Sequence, residues 1–486
     1  MRSVADTRTE VVAEPVHNGA SDDQLAFQLF SVLSGLAALV LFSERAFVNE
    51  VHGGIPVIVP VLFAVAMAWK PSNVWLALSF WGTYTCYLLF GFPRNNTNQT
   101  LLFFVGVGVL ASAAVCMVEQ RSVRLSGDVL YRKFNPLLRI CVFVLYAWTF
   151  WDKLNYDFLS PQVSCATTLT MDLLSRFGLH PSAQPVATPA VVMTVLIEGA
   201  LPIGLLFSRT QRLTVLLGFG FHWLLGLAGY YGFSSTMVSL LTLFAFPVAG
   251  RAFSGYDGPS VIGSLRRSTL NRLALAAYLF LILFAKYGLQ NKGWVGAGVW
   301  FGVPFVAAVL WWNNRAPIGE PLFGPDAKPA VWRLLAHPKP LYLIALLVFL
   351  NGASPWLGYK TEYSFAMYSN LRTEGGKTNH LIWGTPLALA NYQTDLVYVL
   401  DGSDKALVDS SGGRPVPRYA LSQRLRAIVA NQQRSGIVLV LGEGTEVRKI
   451  EAAERDAELM AQPTFLESRL LSFRQIVQAG AGECAH

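Results

Sequence analysis

Charge is scarce in this chain. Asp, Glu, Lys and Arg make up 14% of its 486 residues, against about 25% in an ordinary soluble domain. Cysteine is scarce too: the five present form no CxxC and no cluster with histidine, and there is no HExxH, so no metal-binding pattern is present. No GxxxxGK[ST] phosphate loop occurs, and the glycine-rich stretch 296–302 falls within an apolar run, where small residues let helices pack closely. The net charge of +8 is not gathered into a basic tract, which speaks against nucleic acid as a partner. No short apolar region with a small-residue cleavage site follows a basic start, so the first apolar run reads as an uncleaved signal anchor. No internal repeat or low-complexity tract is seen.

What is there is apolar length. Hydrophobic residues make up 53% of the chain. A hydrocarbon core roughly 30 Å thick takes about 20 residues of helix. About eleven runs approach that length: 24–43, 54–69, 73–92, 101–118, 135–151, 187–207, 211–229, 232–249, 271–289, 293–312 and 339–357. The runs 54–69 and 232–249 are the weakest, and either could be re-entrant. Eleven spans put Lys70, Arg121, Arg124, Arg132, Lys133, Arg209, Arg212, Arg251, Arg266, Arg267, Arg315, Lys328 and Arg333 on one side. Only Arg45, Arg94, Lys153, Arg176 and Lys292 fall on the other. Lys and Arg concentrate on the cytoplasmic side, which predicts a cytoplasmic N-terminus and an extracytoplasmic C-terminus in a cell inner (plasma) membrane.

The expected organisation is a disordered cytoplasmic N-terminus over 1–23, a membrane domain over 24–357 and a small extracytoplasmic α+β domain over 358–486. In that last region 394–404 (TDLVYVLDGSD) and 435–444 (SGIVLVLGEG) read as strands. The segments 422–434 and 450–462 read as helices from their apolar spacing. Cys86, Cys116 and Cys141 fall in spans as packed small hydrophobes, whereas Cys165 and Cys484 share the outer side, where a disulfide can form.

Three ionisable residues fall where a membrane resists them: Lys153, Glu198 and His222. A charge near the bilayer centre costs roughly 2.5–3.5 kcal/mol, which makes such residues candidates for function. Lys153 either snorkels to headgroups or serves as a base desolvated by the aromatic stretch 146–158. Asp152 is adjacent, but neighbours on a helix point in different directions. Glu198 either ties helices together or takes part in chemistry, and His222 is either packing or a ligand-facing group. The short link after Glu198 makes the two flanking helices antiparallel neighbours. Glu198 lies 11 residues before Arg209 and His222 lies 10 after Arg212. At about 1.5 Å per residue their depths match, which predicts a Glu198–His222 hydrogen bond that would fix the imidazole tautomer.

The stretches 146–158 (YAWTFWDKLNYDF), 197–212, 220–226 (GFHWLLG) and 232–247 follow one another in an order that resembles a known family. So do 92–104 and 134–147 upstream, and 360–382 after the last span. Together they resemble the transmembrane domain shared by vitamin K-dependent gamma-carboxylase and its bacterial relatives, the horizontally transferred transmembrane family. The resemblance implies that Lys153 is a base that deprotonates a reduced quinone, either vitamin K or menaquinol, with His222 on the family's FH motif and Glu198 as a supporting polar group. It implies carboxylase-like (lyase) or quinol-dependent oxidoreductase chemistry on a peptide or small-molecule substrate. Two departures stand out. Thr97 follows Asn95 and Asn96 where the carboxylase has histidine, and Asn155 stands where it has an acid. Both speak against protein-glutamate carboxylation, while quinol chemistry survives them.

The segment 370–380 (NLRTEGGKTNH) is either an ordered turn, freed by Gly375 and Gly376, or a contact surface. In the second reading Arg372, Lys377 and His380, with Asn95 and Asn96, meet an anionic substrate or lipid headgroup. Arg372 could equally pair with Glu374 or Glu362. The chain is therefore expected to be an all-α polytopic membrane domain of about eleven transmembrane helices, bearing a small C-terminal α+β domain. Its leading reading is a quinol-dependent membrane enzyme. The alternative is a non-catalytic export, immunity or scaffold component using the same fold.

Overall fold

The computed structural model describes residues 22–44, 51–52, 55–93, 95–207, 210–245, 339–411, 413–432, 435–443, 446–474 and 484. The expected disordered N-terminus and the runs 271–289 and 293–312 lie outside the described residues, apart from Asp22 and Asp23.

The apolar runs fold as helices: α1 (Asp22–Glu44), α2 (Ile58–Trp69), α3 (Val74–Gly91), α4 (Thr97–Gln120) and α5 (Gly127–Asp152) come first. After α5 come two elements that hydropathy did not signal, α6 (Tyr156–Leu159) and α7 (Cys165–Arg176). Then follow α8 (Ala183–Leu206), α9 (Gln211–Leu227), α10 (Tyr231–Ala245) and α11 (Tyr342–Ala353). Polar caps set several starts. Asn73 accepts from Trp75 and Leu76 amides, and Asn96 forms a reciprocal capping box with Gln99.

Four helices, α3, α4, α5 and α8, are long and apolar enough to cross a membrane. Among the described residues the remaining apolar stretches are shorter, including 26–42 within α1. α2 and α11 have 12 residues each, or about 18 Å. The weak run 54–69 begins with a two-residue hairpin, β1 (Val51–His52) against β2 (Ile55–Pro56), which shortens its helix. α5 sits centrally, packed against α1, α4, α8, α10 and α11. Phe30, Trp81, Tyr84, Phe134 and Val348 fill the core around it, while Leu196 and Ile203 of α8, Leu213 of α9 and Leu343 and Leu346 of α11 face outward. An apolar periphery around an apolar core is what a bilayer solvent selects.

The C-terminal unit is a four-stranded antiparallel sheet in the order β4-β3-β5-β6. Its strands are β3 (Leu396–Gly402), β4 (Pro415–Pro417), β5 (Leu439–Glu443) and β6 (Glu446–Ile450). Helices α12 (Lys405–Ser411), α13 (Arg418–Gln432) and α14 (Phe465–Leu470) accompany it. The strand expectations at 394–404 and 435–444 and the helix at 422–434 match this. The helix expected over 450–462 does not form. Ala453 donates its amide to Ile437 O, Glu454 accepts from the Gly436 and Ile437 amides, and Asp456 accepts from the Glu458 and Leu459 amides. Asp456 thus takes up two amides of the stretch, while Ala453 and Glu454 are tied to the 436–437 backbone instead of to a helical turn.

Cys165 and Cys484 are joined in a disulfide. Cys116 and Cys141 are buried, but Cys86 is exposed, contrary to the packed role expected of it. Peptide mapping without reductant should therefore recover a linked Cys165–Cys484 pair. A small membrane-permeant maleimide should label Cys86 in the protein solubilised in detergent, and Cys116 and Cys141 only after denaturation. Native labelling of Cys165 would contradict the assignment.

Candidate functional site

The end of α5 is where the site is built. A helix leaves four carbonyls unsatisfied at its C-terminus, and here each finds a donor. Thr149 O accepts from Lys153 Nζ (3.4 Å) and Phe150 O from the Lys153 amide. Trp151 O accepts from the Leu154 amide and lies 3.0 Å from His380 Nε2, and Asp152 O accepts from Asn155 Nδ2 at 2.7 Å. Two of these donors come from side chains just past the helix, and one from a residue more than 200 positions later.

Lys153 turns inward. Its ammonium lies 2.8 Å from Glu198 Oε2 of α8, with only 5% and 10% of the two side chains exposed. The approach is off the hydrogen-bond direction, so the contact is an ion pair. A second weak donation reaches Met367 O at 3.4 Å, and the Phe158 ring lies 5.7 Å away. Gly199 makes the pairing feasible: a Cβ there would stand 2.8 Å from the Phe150 ring, so only glycine lets α8 approach α5 at this level. The snorkelling alternative for Lys153 is thereby removed.

His222 is fully buried, and its Nε2 lies 2.7 Å from the Tyr146 hydroxyl, while Nδ1 has no partner among the described residues. The expected Glu198–His222 hydrogen bond is therefore wrong. α8 and α9 do pack together, but His222 meets α5 lower than Glu198 does. Glu198 is turned toward the end of α5 instead. Tyr146 and Lys153 are seven residues apart, so they lie on one face of α5, about 10 Å apart along its axis. The structure brings Lys153 and Glu198 together and sets His222 two turns below them.

The segment after α11 folds back over this end. Tyr156 N donates to Asn379 O, Leu381 N donates to Leu154 O, and Asn155 pairs with His380 in an isolated bridge. Asn155 is a buried hub: Nδ2 donates to Asp152 O and Ser369 O, and Oδ1 accepts from the Phe158 amide and Asn379 Nδ2. Arg372 pairs with Asp157 at 2.9 Å, not with Glu374 or Glu362. Those two engage Arg474 and Ser472 instead. Gly375 and Gly376 take φ of 76° and 77°, as a turn requires. Lys377 is exposed. Asn96 is committed to capping α4, and buried Asn95 donates to Leu88 O, so neither asparagine bonds to the lysine pair.

His380 sits among Trp151, Trp356 and Trp383, with ring centroids 4.7 Å from Trp151 and 4.9 Å from Trp356. Its Nδ1 accepts from the Ile382 and Trp383 amides, which places the proton on Nε2, facing Trp151 O. Burial holds its pKa below the ordinary histidine value, and the bond to Trp151 O partly opposes this. Trp356 Nε1 donates to Asp152 Oδ1, so Asp152 points away from Lys153. Lys360, passed over in the sequence, is buried, and desolvation pushes its pKa down to about 8 against the raising influence of Glu362.

Tyr363, Phe365, Tyr368 and Asn370 all have positive φ, between 53° and 71°. Left-handed backbone costs a non-glycine residue roughly 1–2 kcal/mol, and Met367, whose carbonyl meets Lys153, lies among them. Strained backbone of this kind is held only where its surroundings over-determine it.

No family model, curated protein or solved structure matches the chain. Among the described residues, no group of three or more His, Cys, Asp or Glu side chains could hold a metal ion. Removing one partner of a buried ion pair costs about 3–5 kcal/mol, whereas replacing both with apolar groups can be neutral. Lys153→Met should therefore lower thermal stability in detergent sharply, and Lys153→Met combined with Glu198→Leu should regain most of the loss. A double variant no more stable than the single one would contradict the pairing.

Proposed function

We propose that the chain is a polytopic protein of about eleven spans in a cell inner membrane, and that the Lys153–Glu198 pair is the proton-handling centre of an enzyme acting on a lipid-soluble quinol. The distribution of Lys and Arg supports the topology, with the C-terminal unit extracytoplasmic. The single observation that carries the enzymatic reading is a lysine and a carboxylate paired inside an apolar bundle, where a charge is costly unless it is used or paired. The strained stretch 363–370 against Lys153 supports it further.

A quinol headgroup suits the residues present. His222 Nδ1, below the pair, is a buried polar atom without a partner among the described residues, and a ring hydroxyl could satisfy it. When bound, a reduced quinone supplies an acidic hydroxyl and two reducing electrons. Lys153 passes one ammonium proton to Glu198, leaving a neutral amine beside a neutral carboxylic acid. The amine lone pair then takes the hydroxyl proton, restoring the ammonium. The carbonyls of Thr149 and Met367 hold the nitrogen in place throughout.

A specific observation favours the non-catalytic alternative. Lys153 has an ion-pair partner and two carbonyl acceptors within 3.4 Å, which is also the arrangement of a structural clamp. The purified protein in lipid, given reduced menaquinone or vitamin K with oxygen, decides between the two. The enzymatic reading expects quinone epoxide from the wild type, at least about 100-fold less from Lys153→Ala, and a clear reduction in Glu198→Gln. No product from the wild type, or equal product from all three, would favour the clamp.

A further inference from the structure

The segment 378–394 contains no Asp, Glu, Lys or Arg, and it forms no helix or strand. Its large apolar side chains nevertheless point away from the protein: Ile382 is 62% exposed, Leu387 69% and Leu389 71%, with Leu381 and Trp383 also exposed. Exposed Tyr156 and Leu159 of α6 adjoin the strand-like contact that anchors it. A loop bathed in water has no reason for this composition, and contiguous exposed apolar surface marks an interaction site.

Two features identify the occupant. The first is depth. Lys153 lies level with Glu198, and α8 begins at Ala183, 15 residues before Glu198. At about 1.5 Å per residue, α8 continues roughly 22 Å beyond the level of the lysine pair. The loop is fixed to that same level, because Leu381 donates its amide to Leu154 O. It therefore lies within the layer that α8 crosses and not above it. The exposed Leu343, Leu346 and Leu350 of α11 run up to it, since Leu387 and Ala388 donate to Trp356 O and Ala390 to Leu357 O, just past the end of α11.

The second feature is its backbone. Non-helical chain in contact with lipid must satisfy its polar groups internally, at several kcal/mol for each one left unmade. Here Leu381 donates to Leu154 O, Ile382 and Trp383 to His380 Nδ1, and Leu387, Ala388 and Ala390 to the carbonyls after α11. Residue 386 is proline and has no amide to satisfy, and the Gly384, Thr385 and Leu389 amides, unpaired within the described residues, are left to the polar headgroup side of the boundary. Thr378 takes up Trp383 O through its hydroxyl and Gly384 O through its amide. His380, neutral and double-accepting, thus acts as a backbone cap for an apolar loop.

We infer that residues 381–389 form a membrane-embedded loop, resting in the boundary between headgroups and acyl chains of the leaflet on the Lys153 side. Trp383 sits there as an interfacial anchor. The inference concerns bilayer contact alone and holds whether or not the lysine pair is catalytic.

The test uses the full chain with Cys86, Cys116 and Cys141 replaced by serine or alanine and the Cys165–Cys484 disulfide kept. Single cysteines at Ile382, Leu387 and Leu389 carry a fluorophore in phosphatidylcholine–phosphatidylglycerol vesicles. Val447, 66% exposed on β6 of the C-terminal sheet, is the reference position. Nitroxide-bearing lipids should quench the three loop positions several-fold more than Val447, and aqueous iodide should quench them several-fold less. Iodide quenching equal to that at Val447 would overturn the inference. So would protection from both quenchers, which would mean that other parts of the protein cover the loop.

Discussion

An ammonium and a carboxylate held 2.8 Å apart in an apolar bundle constrain everything around them. Two such charges are expensive to remove from water, and their attraction offsets the cost only if geometry and further bonds are good. The fold meets this condition with a glycine that brings α8 against α5, two carbonyl oxygens on the lysine, and a wall formed by Phe150 and Phe158. The pair also fixes the vertical register of α5 against α8. That register places the end of α5 well inside the span of α8, so the segments after Lys153 and after α11 share the apolar layer with the helices.

The polar work at this end is done mostly by groups that carry no charge. Asn155 uses four hydrogen bonds to join the α5 end, α6 and the 369–379 stretch. Asn379 adds Asp157 and Asn370 O, and Arg372 closes on Asp157. The disulfide from Cys165 to Cys484 and the Arg469 contacts to Phe90 O and Phe92 O fasten the C-terminal unit to the bundle. Four left-handed residues between 363 and 370 are sustained by this network, which places strain next to the one buried lysine–glutamate pair found among the described residues.

Hydropathy made the helices legible, because apolar length is a local property. It also singled out Lys153 and Glu198, since a charge in an apolar run stands out in any order of residues. The partner of each was not legible. Counting residues along α8 and α9 fixes neither how each helix is rotated nor which level of α5 it meets, and the partner of Glu198 is Lys153. Asn379, Trp356 and Met367 reach the site across separations of more than 200 residues, for which one sequence carries no signal. The 450–462 stretch misled for a local reason. Its alanines and glutamates suit a helix, but Glu454 and Asp456 spend their oxygens on backbone amides. Arg372 illustrates the same limit, since acids nearby in sequence proved less available than Asp157.

The central claim is that Glu198 is ionised because Lys153 sits against it. Infrared difference spectroscopy of the protein in lipid, with Glu198→Gln identifying the Glu198 bands, tests that most directly. The account predicts a carboxylate stretch for Glu198 in the wild type that is replaced by the carbonyl stretch of a protonated acid in Lys153→Met. A Glu198 signal unchanged by removal of Lys153 would contradict it.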